Sequence, residues 1–446
     1  MSAIEKNLYT GGASAVLATD RRDFYIQPQV VKELVSRESP FLTTLANGPK
    51  MTGLKDPMFK MFQHTNPTVR QYIYVTTGAT SAADDAEDTI AISSTNSIGL
   101  PTTFNAALKG LKCDVFASDG KTTPKPVTPC LGTVVITTFT SATAVNVKNA
   151  TGASITIPTP AFLEVIGTEF GEASEAPDSW ADELSVVWNQ CGIQRTAFQL
   201  SKVLMDAYLR GESKEYDRVK ALKAYEHKIQ NARNLLFSAS PLGTKLNQTG
   251  GDTFVDKKLT DTDGNAMRPT YGLFQSVLDN AITDITNIDC NIFDIPEASY
   301  QYNDFVDQSE IAFEYSRTGQ ETIFCGRHFA SYWSKLSGPS GLAAKSKWQV
   351  QLSNFQGDKL GFDFKLLDTP NGVYKLVIDP AMTKSPYNGY GFSPDANNSF
   401  FVEYAAPIYA QNIKTDNNPL YQKNEYVSQM AGGLTNLPSH KIWRLI

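Results

Sequence analysis

"EYDRVKALKAYEHKIQNARNLLFSASPLG", residues 215–243, is one long helical pattern in a chain otherwise full of glycine, threonine and short strand-like runs. Apolar or small side chains recur at Tyr216, Val219, Leu222, Tyr225, Ile229, Ala232, Leu235 and Leu236. That three-and-four spacing lines one face of a 3.6-residue helix. The other face is charged, with Lys214, Glu215, Asp217, Arg218, Lys220, Lys223, Glu226 and Lys228 free to meet water. Arg233 lies near the C-terminal end, where a cation suits the helix dipole. Ser213 fits the N-cap, and Ser238, Ser240, Pro241 and Gly243 mark the stop. A helix over 214–237 is about 35 Å long at 1.5 Å per residue, the width of a domain.

Before the rod, "LSVVWNQCGIQRTAFQLSKVL" (184–204) is rich in β-branched and aromatic residues and reads as one long strand or two joined ones. Far upstream, "TVRQYIYV" alternates Val69, Gln71, Ile73 and Val75 with Arg70, Tyr72 and Tyr74, as in a ribbon strand with two working faces. The two runs are expected to pair as the two sides of one ribbon. Between them, residues 86–166 are dominated by Thr, Ala, Val and Ser with few charges, in short strand-like pieces separated by Gly, Asn and Pro. This block is expected to be a small all-β module inserted at the ribbon's tip.

The first 27 residues or so read as an extended arm, followed by a short helix within 29–45. Beyond the rod, "DTDGNA" predicts a tight turn. Helical patterns recur at 272–283, 302–317 and 326–336, alternating with strand-like runs at 321–325, 362–369 and 373–379, and the end of the chain is β-like again. The class is α+β.

The chain of 446 residues suffices for a large core and two or three domains. Charged residues at 19% and aromatics at 11% fit a folded protein, and a net charge of −6 leaves no basic excess for gripping nucleic acid or acidic membranes. No run approaches the roughly 18 apolar residues of a membrane span, and no signal peptide is evident. The five cysteines, at 113, 130, 191, 290 and 325, form no CxxC pair, which fits a reducing cytoplasm.

Motifs for chemistry are sparse. The sequence holds no GxxxxGK[ST], GxGxxG, HExxH or GxSxG, and its four histidines (64, 227, 328, 440) are dispersed. "CGRH", Cys325 to His328, offers a nucleophile and a base in type, but it reads better as a strand ending at a buried cysteine with the histidine in the next helical turn. "DDAED" (84–88) reads as a solvated loop, "DTDGN" lacks the closing Glu of a calcium loop, and Cys113 and Cys130 lack partners for zinc. No catalytic, cofactor or metal site is expected.

The order of elements resembles the major capsid proteins of tailed phages, the Hong Kong 97-type fold. "VIGTEFGEASEAPDSWADELSVVWNQCGIQRTAFQLS" resembles the return of that family's extension loop, and "EYDRVKALKAYEHKIQNARNLLFS" its spine helix. "LGFDFKLLDTPNGVYKLVIDPAM", "YAAPIYAQNIKTD" and "NEYVSQMAGGLTNLPSHKIWRLI" look like its axial and peripheral strands. The resemblance implies an N-terminal arm and short helix (1–50), an extension loop (51–204) containing the 86–166 module, a peripheral domain (205–270) with the spine helix 214–237, an axial domain (271–390) with part of the peripheral domain, and C-terminal strands (391–446). It implies a non-enzymatic shell of pentamers and hexamers around double-stranded DNA, held only loosely. The virion is the expected location, after synthesis in the host bacterial cytoplasm and with no membrane involved. Because the arm starts almost at once, a separate scaffolding protein is expected, with a portal and decoration or cement proteins as further partners. Candidate intersubunit contacts on the ribbon are Arg70, Tyr72, Tyr74, Trp188, Arg195 and Phe198. Two other readings are an encapsulin-like compartment and, from another class, a β-rich carbohydrate-binding protein or hydrolase, for which no carboxylate pair stands out.

Overall fold

The computed structural model describes residues 38–51, 54–63, 72–81, 87–98, 108–118, 129–141, 143–172, 174, 185–202, 215–239, 259–260, 262–279, 291–300, 302–314, 316, 319–336, 352–355, 364–383, 385–404, 409–413 and 421–446. They fall into two compact units, one drawn from Met1–Phe62, Val186–Ala281 and Asn291–Ile446, the other from Gln63–Ser185 and Ile282–Cys290.

The second unit is a closed antiparallel barrel. Strands Ala161–Thr168, Tyr72–Thr77, Glu87–Ile98, Ala144–Asn149, Gly132–Ser141 and Leu111–Ala117 follow one another around it, and the last pairs back to the first. Period-two alternation sends Ile73, Val75, Ile90, Ile92, Cys113, Val115, Val134, Ile136, Val145, Val147, Ala161 and Leu163 inward, where all are buried. Closure leaves the six described barrel strands without an open edge.

The barrel corrects two expectations. Strand Tyr72–Thr77 does not pair with 184–204; it lies between Ala161–Thr168 and Glu87–Ile98, in the register Ala161↔Val75 and Leu163↔Ile73. The expected boundary at 86 therefore cuts the barrel, because Ile73 and Val75 are wholly buried in its core. The alternation in "YIYV" gave the two faces correctly but could not say which strand would complete the hydrogen-bond ladder.

In the first unit, 184–204 yields two strands joined at Cys191. Ser185–Gln190 pairs with Met58–Gln63, and Gly192–Ser201 pairs antiparallel with Tyr421–Leu434 from Gly192↔Met430 to Ser201↔Tyr421. The other edge of Tyr421–Leu434 carries Ser399–Glu403 and Tyr409–Ile413, and Lys50–Met51 completes a five-stranded sheet. The rod, Glu215–Phe237, packs on this sheet, with Tyr216, Val219 and Ala224 against Phe198, Leu200 and Tyr426. Its C-terminal turns bury Ala232, Leu235 and Leu236 completely, and Phe237 stacks on Tyr387 at 4.3 Å between ring centroids.

A seven-stranded mixed sheet orders Ile292–Ile295, Lys441–Leu445, Tyr390–Ser393, Gln320–Cys325, Gly372–Ile378, Phe364–Thr369 and Leu352–Phe355. Helices Tyr302–Glu314 and Arg327–Leu336 contribute Phe305, Phe329 and Trp333 to an aromatic core with Phe293, Tyr374 and Trp443. The expected "DTDGNA" turn links the short strands Leu259–Thr260 and Ala266–Met267, with Gly264 at φ +83°, where a side chain would be strained.

Candidate subunit-contact surfaces

The rod is held to its sheet by a polar line where the sequence predicts an apolar one. His227 and Asn231, both fully buried, occupy the centre of the buried face, while Leu222, Tyr225 and Ile229 are only half-buried. The His227 ring lies between two hydroxyls, Nδ1 at 2.8 Å from Thr196 Oγ1 and Nε2 at 3.1 Å from Ser428 Oγ. Ser428 Oγ donates to Asn231 Oδ1 at 3.2 Å, and Asn424 Nδ2 donates to the Tyr216 hydroxyl at 2.6 Å. Burial lowers the pKa of His227, so the ring is neutral at pH 7 and the line carries no charge. Directional bonds of this kind fix the rod's axial position and rotation, which greasy contact alone leaves free to slide.

With Thr196, Phe198 and Leu200 turned toward the rod, alternation turns Ile193, Arg195 and Ala197 to the opposite, exposed face. Arg195 forks onto Glu425, Nε to Oε2 at 2.9 Å and Nη2 to Oε1 at 2.6 Å, leaving its own side chain 59% exposed and the carboxylate 3%. The guanidinium lid and Ile193, at 55% exposure, form the outward stripe of this strand.

Three more buried ionisable groups anchor this unit. Asp379, wholly buried, accepts from Ser39 Oγ at 2.6 Å and from the backbone N–H groups of Phe41 and Ala381 at 2.9 and 2.7 Å, capping the helix Pro40–Asn47. Burial raises its pKa against the pull of those bonds. Lys441, wholly buried, pairs with Glu321, which also accepts from Ser393 Oγ at 3.2 Å. Burial pushes the Glu321 carboxyl up while Lys441 and Ser393 pull it down.

Of the predicted contact residues, Arg70 lies outside the described residues. Tyr72 and Tyr74 are half-buried on the barrel's outer surface, where the Tyr72 ring meets Phe162 edge-on at 6.0 Å. Trp188 and Phe198 are 8% and 6% exposed and belong to the core, a correction to their assignment as contacts. Phe198 is enclosed by Tyr216 and Tyr426, both 6.0 Å away. Arg195 remains on the surface. Ile193 and Phe62, the latter 70% exposed beside buried Met61 and Gln63, are exposed apolar side chains that the sequence pattern did not single out. Each sits out of phase with its strand's buried set, a signal visible only once the inward face is known.

Cys325 and His328 do not meet as a pair. The thiol is buried and directed at the Val377 carbonyl at 3.6 Å, while His328 is exposed and 3.7 Å from Glu297. Among the described residues, no three His, Cys, Asp or Glu side chains come close enough to hold a metal ion, and no helix is long and apolar enough to cross a membrane. Of "DDAED", only Glu87 and Asp88 are described, at the start of a barrel strand.

The profile of the SU10 major capsid protein family matches residues 29–417. No curated protein matches the chain. Among solved structures, one from Microbacterium phage Oxtober96 is similar at 9% identity and a TM-score of 0.39, covering 97% of each chain. The holo-SrpI encapsulin complex of Synechococcus elongatus PCC 7942 is similar at 6% identity and a TM-score of 0.38, covering 60% of this chain and 77% of the other. Mycobacterium phage Ogopogo gives 10% identity and 0.37, with coverages of 63% and 83%. The α+β architecture is the Hong Kong 97-type capsid fold expected from the order of elements. Because the profile spans most of its length, the chain belongs to the SU10 major capsid protein family and is a structural component of a phage virion.

Proposed function

We propose that this major capsid protein assembles as pentamers and hexamers into a closed icosahedral shell around packaged double-stranded DNA. The family match across 29–417 carries the reading. The rod pinned to its sheet supports it physically, because repeated packing around symmetry axes needs a subunit whose elements cannot shift against one another. On this reading, the rod and five-stranded sheet are the peripheral domain, the seven-stranded sheet is the axial domain, and the barrel is borne on the extension loop. The stripe Ile193–Arg195–Ala197 with Phe62, and Tyr72 and Tyr74 on the barrel, are the surfaces that meet neighbouring copies. A separate scaffolding protein, a portal and a cement protein are the further partners. The net charge of −6 suits a wall that contains DNA without gripping it.

The deciding experiment is expression of the chain with any partner scaffolding protein supplied, followed by native mass measurement and electron microscopy. Closed shells with fivefold and sixfold capsomers are expected; monomers alone at micromolar concentration overturn the reading. Cargo enclosed in place of DNA is the outcome that favours an encapsulin-like compartment.

A further inference from the structure

Two short crossings join the sheets of the rod-bearing unit. Residues 394–398 lead from Tyr390–Ser393 in the seven-stranded sheet to Ser399–Glu403 in the five-stranded one, and residues 435–440 lead back from Tyr421–Leu434 to Lys441–Leu445. The crossings are stitched side by side. Thr435 N donates to Asn398 O at 2.9 Å, and Asn398 Nδ2 donates to Ser439 Oγ at 3.1 Å. Asn436 Nδ2 donates to Asn398 Oδ1, also at 3.1 Å.

His440 sits at the centre of this stitching, wholly buried. The backbone N–H of Asp395 points at Nδ1 from 3.0 Å, so Nδ1 accepts, and Nε2 lies 2.9 Å from the Thr435 carbonyl, so Nε2 donates. The partners thus fix one neutral tautomer. We propose that His440 is an acid-operated latch: neutral, it ties the crossing at Asp395 to the crossing at Thr435, and on taking a proton it lets them part.

A proton on Nδ1 has no acceptor, since the Asp395 N–H already occupies that direction. The imidazolium would also lie beside Lys441, a second wholly buried cation at the start of the next strand, whose partner Glu321 comes from strand Gln320–Cys325. The Asp395 carboxylate favours the charged ring, but its oxygens already accept from Asn397 N at 3.0 Å and Asn398 Nδ2 at 2.6 Å. Burial dominates and pushes His440 down to about 4, with the Thr435 carbonyl and Asp395 pulling up and Lys441 pulling down. A folded pKa below the unfolded value of 6.5 means that the latch holds fully above that pH and weakens as pH falls toward about 4. Glu321 and Asp379, raised by burial, act with the opposite sign and favour the fold at low pH, so they cannot mimic the effect. A cavity of about 410 Å³, lined by Pro394, Asp395, Asn397 and Ser439 and by Phe41 and Leu45, gives the released crossing room to move.

The test is hydrogen exchange of the full-length chain between pH 7.5 and 5, with rates corrected for chemical exchange. Protection in 394–398 and 435–440 is expected to fall by up to roughly tenfold per pH unit below about 6.5, ahead of the rest of the unit. In His440→Asn, which offers Asp395 N–H an uncharged acceptor, and in His440→Gln, the same segments should keep a flat profile. Unchanged wild-type protection overturns the latch, and so does an equal fall in a folded variant. If neither variant folds, the wild-type series decides: loss confined to the two crossings supports the latch, and uniform loss across the unit refutes it.

Discussion

The barrel and the rod-bearing unit solve the same burial problem with different chemistry. The barrel's core cluster is Ile, Val, Leu, Ala and one Cys, and no buried polar or charged residue lies among its described strands. The rod-bearing unit buries His227, Asn231, Glu321, Lys441, Asp379 and His440 beside a core of Phe, Tyr and Trp. Closure explains the contrast. In a barrel each strand's register is set by two neighbours and the ladder satisfies the backbone, so side chains need only fill space. The other unit joins segments hundreds of residues apart that hydrophobic contact could align in several ways, and its polar links select one. Buried ion pairs add little net stability compared with apolar replacements, which points to specificity as their use here.

The largest test of this contrast is Lys441→Met. Removing the cation leaves Glu321 buried without its partner and should cost about 3–5 kcal/mol in urea unfolding, whereas Lys441→Met combined with Glu321→Gln should recover most of it. A double variant as unstable as the single one would mean that the pair contributes stability and not merely specificity. Thiol labelling separates the regions, because Cys325 is buried in the rod-bearing unit and Cys113 in the barrel. Lys441→Met should hasten labelling of Cys325 and leave Cys113 slow.

Next is Ile136→Ala, which opens a cavity in the barrel and should cost about 2–5 kcal/mol by transfer and packing losses. Burial pushes the Cys113 thiol up to about 12, so at pH 8 it reacts only when the barrel opens. Faster labelling of Cys113, with Cys325 unchanged, is the expected result; parallel acceleration of both would show that the two cores do not act separately.

The smallest effect on stability is expected from Ile193→Ser, within about 0.5 kcal/mol because the side chain is 55% exposed. Its effect should appear in assembly, as fewer closed shells at equal protein concentration. Normal assembly would remove this stripe from the contact surfaces.

Much of the architecture was legible in the linear pattern. The 3.6-residue period announced the rod, predicted at 214–237 and found at 215–237. Alternation in "YIYV" put Ile73 and Val75 on one face, and the Thr-, Ala-, Val- and Ser-rich block announced short strands. These features are local, since the period of an element depends only on which side of it is dry. Pairing decided the rest. Tyr72–Thr77 went into the barrel because Ala161–Thr168 and Glu87–Ile98 lay beside it to complete its ladder, and Trp188 and Phe198 became core because other elements covered them. The rod's His227 entered neither face of the periodic pattern, and only Thr196 and Ser428, 31 and 201 positions away, make it a stitch. Lys441, His440 and Glu321 carried no sequence signal at all. A polar side chain's fate depends on whether a partner waits at hydrogen-bonding distance, and distance in space between residues far apart in the chain is set by the tertiary fold alone.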